Sequence, residues 1–290
     1  MTAAEWNELC GRAPVLLDGA WGTQLHTRGL ATGEISERWN ITHPAEVQAL
    51  AGAYVEAGSG VVLTNTFGAN RIVLSRHGLD DKTAEINREA ARLSRSAADS
   101  RARVFGSIGP SGKMLLMGEV SEDELTGAFE EQARALAGGG VDALVIETMA
   151  DLDEAVCAVR AACGTGLPVV ACMVYDSGPN NDRTMMGISP AEAAERLQEA
   201  GAWALGANCG QGPAGFRAIL DQYAAVSRLP LWMKPNAGLP EVVDGNTVYR
   251  VTPEEFAREA AQLCGAGATF VGGCCGTGPA FIEALRGQVH

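Results

Sequence analysis

Residues 270–279 of this 290-residue chain read FVGGCCGTGP, a buried-strand pattern that breaks into glycine where two cysteines stand side by side. Because neighbouring side chains of a strand point to opposite faces, Cys274 and Cys275 can serve one site only where the backbone turns. Gly276 permits that turn. A disulfide between neighbours would need a strained small ring. The stretch therefore indicates two thiolates on one metal ion, with two small residues in a tight turn as the alternative.

A third soft ligand is expected at another strand end, and residues 203–209 read as a strand that finishes on Asn208 and Cys209. Three thiolates with one open coordination position are typical of a catalytic zinc rather than a structural one. The other cysteines lie in the N-terminal segment, in helical patterns or in mid-strand, where cysteine is usually core filler. We expect these five to be structural: Cys10, Cys157, Cys163, Cys172 and Cys264.

Outward from this stretch, short β-branched runs alternate with alanine-rich helical patterns along the whole chain. Eight runs predict strands, at residues 15–20, 61–66, 104–109, 143–148, 169–175, 203–209, 231–236 and 269–275. Helices are predicted at residues 44–57 and 70–100, and from Ser121, Asp151, Pro190, Pro253 and Pro279 onward. A capping box of Ser121 with Glu124 marks one of these starts. Residues 21–40 are predicted to be a long polar loop.

Strands that alternate with helices at this spacing form a parallel sheet. Eight such units, in a chain near the roughly 250 residues typical of the fold, predict an α/β protein that is a single closed (β/α)8 TIM barrel. A doubly wound open sheet is the alternative. Because no linker divides the chain, we expect one domain over residues 1–290.

The formal net charge is −13, and 47% of the residues are hydrophobic. An acidic chain argues against nucleic acid or an anionic membrane as partner, since both favour basic patches. No apolar run reaches transmembrane length, and residues 1–11 lack the layout of a signal peptide. The eight cysteines show no spacing typical of a secreted disulfide framework. We therefore expect a cytoplasmic protein; its composition does not identify a substrate.

The active site of such a barrel lies at the C-terminal ends of its strands. Polar and thiol groups end nearly every predicted strand: Asp18, Asn65, Ser107, Glu147, Asn208, Cys209, Asn236, Cys274 and Cys275. Glu147 ends an apolar run, where an unpaired carboxylate would be costly, so we expect a substrate ammonium or a salt bridge as its partner. Asp18 is expected to bind substrate or to be a turn residue. The three asparagines are expected to line the site or to satisfy loop backbone groups.

Six motifs follow one another in order: DGAWGT at residues 18–23, TNTF at 64–67, IET at 146–148, NC at 208–209, PNAGLP at 235–240 and GGCCGT at 272–277. Together they resemble the homocysteine S-methyltransferase family over nearly the whole chain. The finer likeness, carried by residues 41–44 and 235–240, is to the homocysteine-binding module of cobalamin-dependent methionine synthase.

The resemblance implies Zn2+ on Cys209, Cys274 and Cys275. It also implies a pocket for homocysteine, with Asp18 and Glu147 on its amino group and the backbone of Gly19 and Ala20 on its carboxylate. Asn65, Asn208 and Asn236 would line the same pocket. A free thiol with a pKa of about 8.5 is mostly protonated at neutral pH, and coordination to zinc removes the proton while the sulfur stays nucleophilic. The implied product is methionine.

The resemblance leaves the methyl donor open. We expect a methyl-corrinoid that arrives on a separate protein or free in solution, because no sequence follows the barrel to bind folate or cobalamin. The alternatives are a self-sufficient methyltransferase that uses S-methylmethionine, S-adenosylmethionine or betaine, and a homocysteine-binding subunit that needs a corrinoid protein. Selenohomocysteine is a further candidate acceptor. A betaine donor would want an aromatic cage, for which the first loop offers only Trp21 and Trp39. A zinc hydrolase is disfavoured, since none of the four histidines ends a predicted strand.

Overall fold

Eight parallel strands form a barrel in the computed structural model, which describes residues 1–243 and 246–289. In chain order they are β1 (Val15–Leu16), β2 (Val61–Leu63), β3 (Arg103–Ile108), β4 (Ala143–Met149), β5 (Val169–Met173), β6 (Ala204–Asn208), β7 (Leu231–Lys234) and β10 (Phe270–Val271). Their order in the sheet is β1-β10-β7-β6-β5-β4-β3-β2. The Gly60 N–H donates to the Leu16 carbonyl at 2.8 Å and joins the two end strands. The predicted (β/α)8 TIM barrel is confirmed.

The helices alternate with these strands and cover the barrel. They are α1 (Ala3–Cys10), α2 (Gly22–Thr27), α3 (Trp39–Thr42), α4 (Pro44–Ala57), α5 (Arg71–Ser75), α6 (Thr83–Ala98), α7 (Glu122–Gly138), α8 (Leu152–Cys163), α9 (Pro190–Glu199), α10 (Pro213–Val226), α11 (Pro253–Gly265) and α12 (Pro279–Val289). The predicted capping box of Ser121 with Glu124 is formed at the start of α7. Among the described residues, no helix is both long and apolar enough to span a bilayer.

Several elements differ from the prediction. Residues 21–40 are not one polar loop but contain α2 and a 3-10 helix at Ser36–Arg38. The helix predicted over residues 70–100 is divided into α5 and α6, because Gly78 turns the chain with a φ of 63°. Helices α1 and α10 were not predicted. An exposed antiparallel hairpin, β8 (Glu241–Val243) with β9 (Asn246–Val248), follows β7.

Aromatic side chains fill the barrel at the N-terminal ends of the strands. Trp6 of α1 is buried there, and its ring lies 6.2 Å from that of Phe105 and 5.7 Å from that of Phe270. Trp232 continues this packing, with its ring 5.3 Å from Phe270. Because this end is closed by α1 and filled with rings, the opposite end, at the carboxyl termini of the strands, is left for polar groups.

The two shortest strands end early at that polar end. β1 and β10 each have two paired residues, although longer strands were predicted at 15–20 and 269–275. Backbone hydrogen bonds continue past the ladder, from the Gly272 N–H to Met233 at 3.1 Å and from the Gly273 N–H to Asp18 at 3.0 Å. Asp18 and the cysteine pair therefore stand on turning backbone at the mouth of the barrel.

Candidate metal centre

The three cysteines predicted as metal ligands lie together at this mouth. Cys209 follows β6, Cys274 and Cys275 follow β10, and the three Sγ atoms lie within 4.8 Å of one another. The Sγ atoms of Cys209 and Cys275 are 3.7 Å apart. That distance is close to the roughly 3.8 Å edge of a tetrahedron whose sulfur corners lie about 2.3 Å from a central zinc ion. It is far longer than the roughly 2.05 Å of a disulfide.

Backbone conformation and backbone hydrogen bonds position the cysteines at the two strand ends. Cys209 has a φ of 64°, in the left-handed region that non-glycine residues rarely adopt and that is often found at functional sites. The Cys274 N–H donates to the Pro235 carbonyl at 2.7 Å. A Cβ added at Gly273 would collide with the side chain of Thr277. Glycine at that position therefore lets the cysteine loop fold back against the barrel.

The close approach of the sulfurs raises their pKa values. Contact with Cys209, followed by burial, raises the pKa of Cys274 to about 12. Contact with Cys274 lowers the pKa of Cys209, but contact with Cys275 and burial raise it to about 11. Contact with Cys209 lowers the pKa of Cys275, whereas contact with Cys274 and burial raise it to about 12. A divalent cation would offset the repulsion among three thiolates, so this donor set fits a thiophilic metal such as zinc.

Tyr249, which follows β9, lies against the cysteine loop. Gly276 has a φ of 80°, and a Cβ added there would collide with the Tyr249 ring. The hydroxyl lies beside Cys275. Burial, followed by the neighbouring Cys275, raises the pKa of Tyr249. The segment that leads from β9 to α11 therefore shields one side of the thiol cluster.

Glu147, predicted to bind a cationic group, is buried beside the thiols. Its Oε1 accepts a hydrogen bond from the Ser107 hydroxyl at 2.5 Å, and its Oε2 accepts one from the Asn208 amide at 3.3 Å. Burial raises the pKa of Glu147, and the charge of Lys234 and the Ser107 hydrogen bond offset this only in part. Both neutral donors orient the carboxylate and leave its charge without an ion pair among the described residues.

Asp18 is also buried, but its carboxylate is already surrounded by donors. Oδ2 accepts hydrogen bonds from the Trp21 indole N–H at 2.9 Å and from the Leu63 N–H at 2.8 Å. Oδ1 lies 3.0 Å from Nζ of Lys234, in an ionic contact that lacks good hydrogen-bond alignment. Lys234 is itself 2% exposed. Burial alone would lower the pKa of Lys234, but Asp18 and then Glu147 raise it above its ordinary value, so the lysine is positively charged.

The turn at Gly19 and Ala20, predicted to bind a carboxylate, is tied to its surroundings. The Gly19 carbonyl accepts a hydrogen bond from Nζ of Lys234 at 3.1 Å. The Ala20 N–H donates to Oγ1 of Thr277 at 3.2 Å, and the Ala20 carbonyl accepts from the Tyr54 hydroxyl at 2.5 Å. A ligand carboxylate at this turn would have to replace Thr277 as the acceptor for Ala20.

The three predicted asparagines have different surroundings. Asn208 joins the two halves of the site, since its amide donates to Oε2 of Glu147 and lies 3.7 Å from Sγ of Cys274. Asn236 is 3% exposed, and its Oδ1 has no hydrogen-bond partner within residues 1–243 and 246–289. The amide of Asn65 donates instead to the Ser36 carbonyl at 2.8 Å, which anchors the first loop. The structure therefore brings Asn208 to the thiols and uses Asn65 to hold a loop.

Two residues of the site were not predicted from the sequence, Lys234 and Tyr249. A signal for Lys234 was available, because the run LWMK at residues 231–234 ends an apolar strand with a charge that is costly to bury unpaired. Tyr249 carried no such signal. It lies in a polar segment, and only the three-dimensional path of the chain after β9 brings it to Cys275.

The model of the family described as homocysteine S-methyltransferase matches residues 15–289. This chain belongs to the homocysteine S-methyltransferase family. The match extends from β1 to α12 and so includes all the strand ends that carry the site. The family resemblance drawn from the sequence is confirmed.

Two methionine synthases are among the similar members of known function. Those from Mycobacterium tuberculosis (strain ATCC 25618 / H37Rv) and Mycobacterium leprae (strain TN) are each 30% identical to this chain over 291 residues. Each alignment covers 94% of this chain and 24% of the relative. The chain therefore spans about a quarter of the length of these relatives.

Among solved structures, the metallated form of the homocysteine methyltransferase MmuM from Escherichia coli has the same fold. It superposes with a TM-score of 0.79 at 24% sequence identity, over 94% of this chain and 96% of that one.

Proposed function

We propose that this barrel transfers a methyl group to the thiol of homocysteine and forms methionine, with Zn2+ held by Cys209, Cys274 and Cys275. The observation that carries the proposal is the convergence of three thiols with a buried carboxylate, Glu147, at one mouth of the barrel. Zinc bound there would supply the positive charge that lowers the pKa of a substrate thiol and would leave one coordination position for its sulfur. Residues 1–290 would form a single homocysteine-binding domain.

The charges beside the thiols match the amino group of homocysteine. Asp18 and Glu147 are both buried, and Lys234 is the cation that contacts one of them. Two carboxylates and one ammonium leave an excess negative charge, and an uncompensated buried charge is costly. The α-ammonium of an amino acid would balance it. We assign the substrate carboxylate to the turn at Gly19 and Ala20.

Asn208 and Asn236 complete the proposed pocket. Asn208 touches both Glu147 and Cys274, so it sets the distance between the ammonium site and the thiol site. Asn236 has a buried Oδ1 that no other described residue hydrogen-bonds and that a ligand donor could satisfy. We place Asn65 at the edge of this pocket, where it orders the first loop.

For the methyl donor we propose a methyl-corrinoid carried by protein outside the barrel. The similarity to two methionine synthases supports this choice. The surroundings of the two tryptophans of the first loop argue against betaine. The Trp21 N–H is bonded to Asp18, and Trp39 is 4% exposed and packs with its ring 4.5 Å from His43, so neither is placed as the wall of an open cage. We further propose a cytoplasmic location, in keeping with the absence of a disulfide among the eight cysteines in the described residues.

Methionine formation by the full chain tests the proposal. Zinc-loaded protein would receive L-homocysteine with methylcobalamin, S-methylmethionine, S-adenosylmethionine or betaine in parallel. We expect methionine with methylcobalamin, its loss on treatment with a chelator and its return when zinc is added.

Turnover with a sulfonium donor alone would show that the methyl donor is a sulfonium compound and not a methyl-corrinoid. Methionine formation that persists in chelated, zinc-free protein would refute the zinc site. Thiol binding without turnover would identify a subunit that depends on a corrinoid protein.

A further inference from the structure

The two carboxylates of the pocket have different partners. Asp18 receives two hydrogen bonds on Oδ2 and an ionic contact from Lys234 on Oδ1. Among the residues that the structure describes, Glu147 receives only the neutral donors of Ser107 and Asn208. A buried carboxylate that lacks a counter-ion is the group that gains most from a ligand cation. The two acids are therefore not equivalent as acceptors for an ammonium group.

We propose that Lys234 is the permanent counter-ion of Asp18 and keeps this carboxylate from binding the substrate, so that Glu147 alone receives the ammonium group of the substrate. Lys234 thereby determines specificity, because it neutralises one of the two carboxylates that could face the ammonium group. This inference rests on the proposed function and refines it, since the family resemblance assigns the amino group to Asp18 and Glu147 jointly. Asp18 then acts through Lys234 and is a positioning residue.

The position of Lys234 supports this division. Its Nζ contacts the Asp18 carboxylate and donates to the Gly19 carbonyl, so the end of β7 is tied to the end of β1. Both side chains are almost fully buried, with relative exposures of 3% and 0%. Releasing Asp18 to a ligand would leave a buried lysine without its closest anion, which is strongly unfavourable. Glu147 is in no ion pair with another described residue, so it can accept a ligand cation without breaking one.

The test uses two thiols that differ only in the amino group, L-homocysteine and 4-mercaptobutanoate. We define the ammonium preference as the ratio of kcat/KM for L-homocysteine to kcat/KM for 4-mercaptobutanoate. Because each variant is compared with itself, general damage to folding or zinc loading cancels in this ratio. The corresponding ratio of Kd values, measured by calorimetry on zinc-loaded protein, gives the same information without turnover.

Glu147→Gln should lower the ammonium preference about 10- to 100-fold, the range expected for a hydrogen bond to a charged group. Lys234→Met should raise it, because Asp18 becomes a second free anion, and Lys234→Arg should restore the wild-type value. A merely structural role for Lys234 would not raise the ratio. Either an unchanged or a lowered preference in a folded Lys234→Met protein would overturn the proposal.

Lys234→Met leaves a buried carboxylate unpaired and could prevent folding. A second variant therefore tests the same proposal without an unpaired buried charge. Asp18→Asn with Lys234→Met removes both charges, and Asn can still accept the hydrogen bonds of Trp21 and Leu63. Replacing a buried ion pair by neutral groups is often tolerated. The ammonium preference of this double variant should stay within about threefold of wild type, against the larger loss expected for a charged hydrogen bond. A loss as large as that of Glu147→Gln would show that Asp18 binds the ammonium directly.

A matched control removes an ion pair outside the mouth. Arg95 and Asp142 are in contact at 2.6 Å, and Arg95→Met with Asp142→Asn should leave the ammonium preference unchanged. Failure of the proposed function has a different signature. If the wild-type protein neither binds nor methylates L-homocysteine, both proposals fall. If the wild-type protein binds and methylates L-homocysteine but the variants do not show the expected changes in ammonium preference, only the proposed role of Lys234 is overturned.

Discussion

The two halves of the candidate site are held in different ways. The thiol half depends on backbone, since Cys209 adopts a left-handed φ and the Cys274 loop is bonded to Pro235. The carboxylate half depends on contacts between side chains, with Glu147 held by Ser107 and Asp18 by Lys234. Thiols fixed by backbone are placed in advance for an ion. The orientation and charge of carboxylates held by neighbouring side chains can be altered by changing those neighbours.

This difference predicts which changes are all-or-none and which are graded. Removing a thiol takes away a ligand that no neighbour can replace. Removing a hydrogen-bond donor from a carboxylate makes the position of the carboxylate less well defined but leaves its charge in the pocket.

Cys209→Ala should abolish both zinc retention and methyl transfer, with a loss of activity of about 1,000-fold or more, because two thiolates cannot hold a catalytic zinc in place of three. Metal analysis after gel filtration and a methionine assay would measure the two losses. Cys157→Ala is the matched control, since Cys157 lies in α8 outside the mouth. Full zinc and full activity in Cys209→Ala would remove the thiol half from the site.

The thiol half could be predicted from sequence because its signal is local. Two adjacent cysteines followed by glycine, and a cysteine just after a strand, need only the strand-end rule to be brought together. The closed barrel followed from eight alternating units in the same way. The splitting of the segment at residues 70–100 and the unpredicted α10 show that helix boundaries depend on turns that the overall pattern does not mark.

The carboxylate half could be predicted only in part. Asp18 and Glu147 were identified as acids at strand ends, but their partners were not. Gly19 and Lys234 are 215 positions apart in the chain and become neighbours only through the closure of the barrel. Which acid pairs with the lysine depends on ångström-scale geometry, and no spacing in the sequence carries it. The consequence is that the sequence treats the two acids as equal, whereas the structure does not.

Ser107→Ala tests the carboxylate half with a graded effect. It removes the 2.5 Å hydrogen bond to Glu147, and KM for homocysteine should rise about tenfold, as expected for a hydrogen bond to a charged group. Zinc content should stay at the wild-type level. Ser94→Ala is the control, because the Ser94 hydroxyl donates to the Leu63 carbonyl away from the thiols. An equal rise in KM for both variants would mean that the effect is structural rather than specific to Glu147.

Tyr249→Phe tests the thiol half with a smaller effect. The ring that packs against Gly276 is kept, and only the hydroxyl beside Cys275 is lost. A contact of this kind contributes no more than a neutral hydrogen bond, about 1 kcal/mol, so zinc affinity measured against a competing chelator should fall by no more than about fivefold. Tyr223→Phe is the control, since that hydroxyl bonds to Tyr175. Loss of all zinc in Tyr249→Phe would mean that the tyrosine is a ligand rather than a cover.

Glu154→Gln should have the smallest effect, because Glu154 is a buried carboxylate that belongs to neither half. Its Oε1 accepts a hydrogen bond from the Ser111 N–H at 2.7 Å, which glutamine can preserve. Burial raises the pKa of Glu154, the Ser111 hydrogen bonds lower it less, and Asp151 raises it further. A carboxyl whose pKa is higher in the folded state contributes stability only when protonated and loses it as pH rises through that raised pKa.

Because this pKa is raised on folding, Glu154 makes the folded state less favourable as pH rises, and glutamine removes that cost. At pH 7 the variant should therefore unfold at slightly higher urea, by about 1 kcal/mol or less because the hydrogen bond is preserved. The difference should shrink as pH falls and vanish below the pKa of the unfolded chain, where both states carry the neutral carboxyl. Activity should not change. A variant that is less stable at pH 7, with a deficit that persists in acid, would mean that the carboxylate of Glu154 holds the loop at Ser111 through more than its acceptor oxygen. The comparison of Glu147 with Glu154 would then no longer separate a buried carboxylate that binds a ligand from one that only fixes a loop.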